Sequence, residues 1–370
     1  MNTDEDVTEQ ATDTREVTPT AAAAVWSGVD EGFSVDSQPL PVLRPGEVLV
    51  EIELATICGS DLHTIGGDRP TPLPTVLGHE AVGRIVATGG SASGPDGAAL
   101  AIGTRITWTI GTSCGECRRC LRGIPQKCES VRKYGHEAMD DHWKLNGGFA
   151  SHCHLIAGTG LVPVPEDLPA KLAAPANCAT ATVTCAARRV ELDASDVVVV
   201  LGCGMLGLTA VAYAKDRGVE TVIAVDVDPA RRELAAQFGA TATVAPEDLA
   251  ETTGRLGADV IFELSGNSRA VQSAFQVVAM GGRIAMVGSV SPAPEIIFEP
   301  SGFVKNLTTV VGSHNYRIAD LVEAVDFLQR TSVQHLFSDL IPDAFPLNEI
   351  DEAVAVARTA VAPRIAVRPN

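Results

Sequence analysis

The feature that most constrains this chain is an apolar run, Val197 to Leu201, that leads directly into Gly202-Cys203-Gly204-Met205-Leu206-Gly207. A strand apolar at every position must be covered on both faces, which implies a parallel sheet sandwiched between helices. The glycines follow the pattern G-x-G-x-x-G and open a helix, and a second strand from Thr221 ends on Asp226, 19 residues beyond Gly207. In that context each glycine has its own duty. Gly202 permits the tight turn, Gly204 lets the backbone approach a pyrophosphate, and Gly207 lets the helix pack against the strand. The helix N-terminus at Met205 and Leu206 offers amide donors and partial positive charge to phosphate. Asp226 would accept bonds from the adenosine ribose hydroxyls, and a 2′-phosphate would meet a like charge there. NAD is therefore expected over NADP. Apolar strands near 259–263 and 283–287, with helical stretches between, extend this into a Rossmann, doubly wound α/β unit.

The remainder reads differently. Residues 1–21 are rich in acids, Thr and Ala without hydrophobic periodicity, the pattern of a disordered tail. From Ala22 to Leu54 short strands alternate with turns, and Val48 to Leu54 has a period of two. Glycine- and proline-rich turns continue to Gly148, giving a β-rich first half. After Ile318 an amphipathic helix (Ala319 to Gln329), a helix from Asn348 and a strand near Ile365 are expected. A length of 370 residues suits two domains. The net charge of −18 argues against a nucleic-acid partner and disfavours anionic substrates. The longest near-apolar run, Val197 to Ala214, is broken by three glycines and Thr209, so it reads as strand–turn–helix rather than a membrane span. No basic region followed by an apolar stretch opens the chain, and a cytoplasmic location is expected. Nine cysteines then point to metal or catalysis rather than disulfides.

Cys114, Cys117, Cys120 and Cys128 stand as C-x2-C-x2-C-x7-C. Four thiolates from one loop suit a closed tetrahedral zinc site, structural in kind; an iron–sulfur cluster takes the same ligands. Cys58, His79 and Cys178 lie on separate segments. One histidine and two cysteines would leave zinc a fourth position for water or substrate, although their spacing alone does not bring them together.

Taken in order, Cys58-Gly-Ser60-Asp61-Leu-His63, Gly78-His79-Glu80, the four-cysteine lobe, Cys178, the glycine turn and Asp226 resemble the zinc-dependent alcohol dehydrogenases of the medium-chain dehydrogenase/reductase superfamily. The similarity runs from about Ala22 to Val367. It implies a GroES-like β-rich catalytic domain (22–180 and 318–370, with a structural zinc lobe at 110–130) and a Rossmann NAD-binding domain (181–317). It implies two zinc ions per chain, one structural and one catalytic. Cys58, His79 and Cys178 would be catalytic ligands, with Glu80 beside the metal as an occasional ligand. Asp61 would orient the liganding histidine, and Ser60 and His63 would relay the hydroxyl proton to solvent. Arg231 matches a position near the adenosine ribose or phosphate, although a helix-surface charge reads equally well. Ser289 and Ser313 lie where the family binds the nicotinamide carboxamide. The activity implied is reversible oxidation of a small-molecule alcohol to an aldehyde or ketone with hydride transfer to NAD, by a homo-oligomer (dimer or tetramer).

Within the superfamily, residues 69–78 and 175–182 look like a branch associated with phosphonate metabolism and cyclic terpene alcohols. Two other functions compete, a zinc-free quinone or enoyl reductase of the same superfamily and a non-catalytic NAD-binding redox sensor. Arg69 could hold an anion but is read here as a solvated loop charge, and Arg364 could reach the pyrophosphate. Cys153, Cys185 and Cys203 read as small core or turn residues, and His136, His142, His152 and His154 as surface or satisfied core histidines.

Overall fold

In the computed structural model, which describes residues 19–291 and 294–369, the apolar run becomes a central strand of a six-stranded parallel sheet. Its strands lie in the order Ala242–Val244, Thr221–Val225, Val197–Leu201, Ala258–Glu263, Val278–Met286 and Thr309–Gly312. Counted along the chain this order is 3-2-1-4-5-6, and it reverses at Val197–Leu201, where ligand crevices open at the strand ends. Val198, Val199 and Val200 are all fully buried, as a sheet covered on both faces requires.

A second sheet is mainly antiparallel. It runs Phe345–Pro346, Ile365–Arg368, Val48–Ile57, Glu80–Thr88, Arg105–Trp108 and Leu161–Pro163, with His152–Leu155 also paired to Val48–Ile57. In Val48–Ile57 the side chains of Ile52 and Leu54 are buried while Glu51 and Glu53 are exposed, the alternation expected of a half-covered strand. The strand from Ile365 pairs antiparallel with this one, Ile365 opposite Ile57, so a late segment closes onto an early one. A three-stranded sheet of Phe33–Pro39, Thr20–Trp26 and Thr75–Val76 completes the β-rich part.

Two boundaries differ from those expected. Residues 1–18 of the expected tail lie outside the described residues. Thr20 and Ala21, placed in that tail, belong to a strand paired with Pro39 and Gln38, because the small side chains after Thr20 pack inward. Helix Ala179–Arg189 also runs straight across residue 180. It is anchored on helix Ile318–Arg330: Thr184 Oγ1 donates to the Asp320 carbonyl at 2.7 Å, and Arg188 pairs with the Asp320 carboxylate at 2.6 Å. Among the described residues no helix is long and apolar enough to cross a membrane.

Candidate active site

Three segments meet at one buried point. Cys58 follows strand Val48–Ile57 and caps helix Gly59–Ile65, His79 precedes strand Glu80–Thr88, and Cys178 precedes helix Ala179–Arg189. Asp61 ties the first two together. Its Oδ2 accepts the Cys58 N–H at 2.8 Å, its Oδ1 accepts the Gly78 N–H at 3.3 Å, and that oxygen lies 3.5 Å from His79 Nδ1. The Cys58 and Cys178 sulfurs are 3.9 Å apart. A tetrahedral zinc with sulfurs at about 2.3 Å separates them by about 3.8 Å, so this pair fits the ion without rearrangement. Ser60 Oγ stands 3.4 Å from His79 Nε2, at the edge of the cluster.

The surroundings of the cluster favour positive charge. A hydrogen bond from Cys178 holds the Cys58 thiol well below its usual range, against the opposing effect of burial and with help from the Arg364 charge. Burial pulls the His79 imidazole down, but the Asp61 and Cys58 charges outweigh it and hold it well above the usual value.

Glu80 lies within ligand reach of this cluster, yet its carboxylate is already engaged. Arg364 donates to it from Nε at 2.8 Å and from a terminal nitrogen at 2.8 Å, and Thr56 Oγ1 donates at 2.5 Å. Arg364 also reaches Cys58 Sγ at 3.5 Å. This corrects the expectation that Arg364 binds pyrophosphate: its partner is a fully buried carboxylate, which could not remain charged there alone. His136 packs its ring 5.0 Å from that of His79. Neither neighbour has a local sequence signature; Arg364 is 306 residues from Cys58.

The four-cysteine lobe is compact, its thiols supplied by one loop. Sulfur separations are 3.5 Å for Cys114–Cys128, 3.9 Å for Cys117–Cys128 and 4.0 Å for Cys114–Cys120. These again bracket the tetrahedral spacing of about 3.8 Å. The Cys117 and Cys120 N–H groups point at Cys114 and Cys117 sulfurs, at 3.3 and 3.5 Å, which stabilises thiolate charge.

The glycine turn behaves as its spacing implies. Gly202 adopts φ +95°, and a Cβ on Gly207 would stand 1.8 Å from the Gly202 carbonyl, so both positions exclude side chains. A Cβ on Gly204 would meet nothing, because the residue faces a cavity of about 550 Å³. Asp226 and Arg231 line that cavity, as does Arg269, which the sequence reading missed. Asp226 accepts the Cys203 and Asp228 N–H groups at 2.7 and 3.0 Å, which rigidifies the turn. Arg231 lies 3.9 Å from Asp228 on the helix surface. Ser289 and Ser313 line a second cavity, of about 530 Å³, at the ends of Val278–Met286 and Thr309–Gly312.

Other candidates fall apart from the centre. The His63 ring is half exposed, 3.5 Å from Asp68. His142 and His154 both bond Glu47, at 2.9 and 3.0 Å, and His152 bonds Ser151 at 3.0 Å. Cys153, Cys185 and Cys203 are buried free thiols.

Comparison with known proteins agrees with this geometry. Residues 44–166 match the alcohol dehydrogenase GroES-like domain, and residues 206–330 match the zinc-binding dehydrogenase family. An alcohol dehydrogenase of Geobacillus stearothermophilus is 32% identical over 340 residues, which cover 89% of this chain and 94% of that protein. The crystal structure of an alcohol dehydrogenase from Thermotoga maritima superposes with a TM-score of 0.89 at 30% identity, covering 95% of this chain and all of that one. A zinc-binding dehydrogenase from Sinorhizobium meliloti, solved with NADP, gives 0.81 at 26% identity, with 95% of this chain and 100% of that one covered. With two sulfur-rich clusters at zinc spacing and a glycine turn opening onto a cavity, this chain belongs to the zinc-type medium-chain alcohol dehydrogenases.

Proposed function

We propose that this protein oxidises an alcohol reversibly to an aldehyde or ketone, passing the hydride to NAD, with one catalytic and one structural zinc per chain. The observation that carries the reading is the meeting of Cys58, His79 and Cys178 from three distant segments at zinc spacing. Cys58, His79 and Cys178 would hold the catalytic ion, and the lobe of Cys114, Cys117, Cys120 and Cys128 the structural one. Bound zinc supplies Lewis-acid polarisation of an alcohol oxygen. Asp61 fixes the Cys58 and Gly78 backbones relative to each other and faces the His79 ring, so the donor set needs little reorganisation. Ser60 Oγ, beside His79, takes the hydroxyl proton, and His63, one turn further along helix Gly59–Ile65 and open to water, passes it to solvent. Glu80 stays with Arg364 in the arrangement described, and would ligate only after that pair parts. Gly202, Gly204 and Gly207 would keep the turn clear for a pyrophosphate, with the Met205 and Leu206 amides as donors, and Asp226 would accept from the ribose hydroxyls. Arg231 lines the same cavity, and Ser289 and Ser313 would stand at the nicotinamide end.

The test combines metal analysis with turnover. The expected result is two zinc ions per chain and NADH formation, followed by absorbance, with a panel of primary, secondary and cyclic alcohols. Reduction of quinones or enones by a zinc-free preparation would instead identify a reductase. Tight NAD binding with no turnover of either panel would identify a non-catalytic sensor. The proposal extends to a cytoplasmic homo-oligomer, dimer or tetramer, which the native mass in solution checks.

A further inference from the structure

Three cations gather beside the catalytic cluster without an anion to meet them. Arg69 lies in the loop after helix Gly59–Ile65, Lys127 precedes the last lobe cysteine, and Lys133 lies on the segment returning from the lobe. Lys127 Nζ donates to His314 Nδ1 at 2.5 Å, and Lys133 Nζ donates to Asn315 Oδ1 at 3.3 Å. Both acceptors are uncharged: burial, then Lys127, Lys133 and Arg69, push the His314 imidazole down to about 4. Among the described residues, none of the three cations has a carboxylate oxygen within 4 Å. Among the described residues, the Glu137 charge supports Lys133, and its Oε1 accepts the Lys133 backbone N–H at 3.3 Å.

The two lysines line neighbouring cavities that share Gln126. Lys127 and His314 line the cavity that also holds Ser289 and Ser313. The charges of Arg69 and Lys133 reach His136, whose ring lies against that of His79. Burial, then Lys127 and Arg69, push the Lys133 ammonium down to about 8. Half-buried cations without a counter-ion are costly, and a chain with 46 acidic residues has ample means of pairing them. Neutral partners at both lysines leave the positive charge available to something else.

We propose that Arg69, Lys127 and Lys133 form an anion subsite, and that the alcohol oxidised here carries a carboxylate, phosphonate or phosphate group. The inference rests on the dehydrogenase reading above, and it reverses the expectations drawn from net charge and from Arg69 alone. At the salt of a cell, charges beyond about 8 Å are screened, so these three cations outweigh the overall −18.

The test compares 4-hydroxybutanoate and 3-hydroxypropylphosphonate with 1-butanol as substrates for wild type, Lys133→Met and Arg69→Gln. NADH affinity is followed in parallel by fluorescence titration. The anionic alcohols should exceed 1-butanol in kcat/KM by about 30-fold or more, and each variant should lower that ratio by about 10-fold, mainly through KM. Equal efficiency for charged and neutral alcohols overturns the proposal. So does a variant that weakens NADH binding while leaving the ratio intact, since the cations would then serve the dinucleotide's phosphates. If no alcohol is oxidised, the dehydrogenase reading falls by itself. Calorimetric titration with propylphosphonate then decides the subsite: binding lost in Lys133→Met supports it, and no binding to wild type overturns it.

Discussion

The two sulfur clusters solve the same coordination problem in opposite ways. The lobe draws its four thiols from a span of 15 residues, and its sulfur–sulfur contacts all lie within that span. The other cluster joins residues 120 positions apart, sits in a closed interior, and borrows Asp61, Glu80 and Arg364 to hold it. A local cluster can be complete as soon as its loop closes. An assembled one exists only when strands Val48–Ile57 and Glu80–Thr88 and helix Ala179–Arg189 are in place, and its chemistry can be tuned by its neighbours.

Substitutions that break this contrast should have the largest effects. Cys58→Ser should keep the fold, as judged by circular dichroism, yet lower turnover by about 1,000-fold or more, because Lewis-acid stabilisation is worth several kcal/mol. Near-normal activity in the folded variant would sink the catalytic assignment. Cys128→Ser should act on stability instead. Loss of about 3 kcal/mol is expected, since structural zinc contributes folding energy directly, and it should appear as a lower melting temperature with zinc content reduced to one per chain. An unchanged melting curve with two zinc ions retained would place the lobe outside the stability argument.

The glycine turn belongs with the lobe as a local unit, and Asp226 sharpens the comparison. NAD should be preferred over NADP by about 100-fold in kcat/KM, a difference of about 2.7 kcal/mol. Asp226→Ala should narrow the gap mainly by losing NAD efficiency, because removing repulsion supplies no phosphate partner. Arg231 and Arg269 line the same cavity, so comparable efficiency with both cofactors would shift the assignment towards those two arginines. The smallest effect is expected at the outer end of the assembled site. His63→Ala should slow alcohol oxidation by about 10-fold, chiefly below neutral pH, with partial recovery in imidazole buffer. A profile identical to wild type would reduce His63 to a surface residue.

What could be read from the sequence follows the same division. The parallel sheet, the glycine turn and the lobe were legible because each is written within a few tens of residues, by apolar periodicity, glycine spacing or cysteine spacing. The pairing of Cys58, His79 and Cys178 was legible only through family resemblance, since no local pattern relates them. Arg364 was misread because its role depends on strand Ile365–Arg368 returning to Val48–Ile57. Lys127 and Lys133 carried no signal, because a lysine facing a neutral acceptor in a cleft looks in sequence like any solvated lysine. If the anion subsite holds, net charge is a poor guide for the same reason: it averages over a surface, while recognition is decided within a few ångströms.

The returning strand has a consequence for how the protein is made. Glu80 and the free edge of Val48–Ile57 are synthesised nearly three hundred residues before Arg364 and the strand that follows it. At ribosomal rates of about 5–20 residues per second, that delay is on the order of 15–60 s. Throughout it the nascent chain carries an acid without its counter-ion, and Ala55–Ile57 lack their partner strand, a short template for pairing with other chains. Folding of the first sheet is therefore finished late, by a segment made long after it.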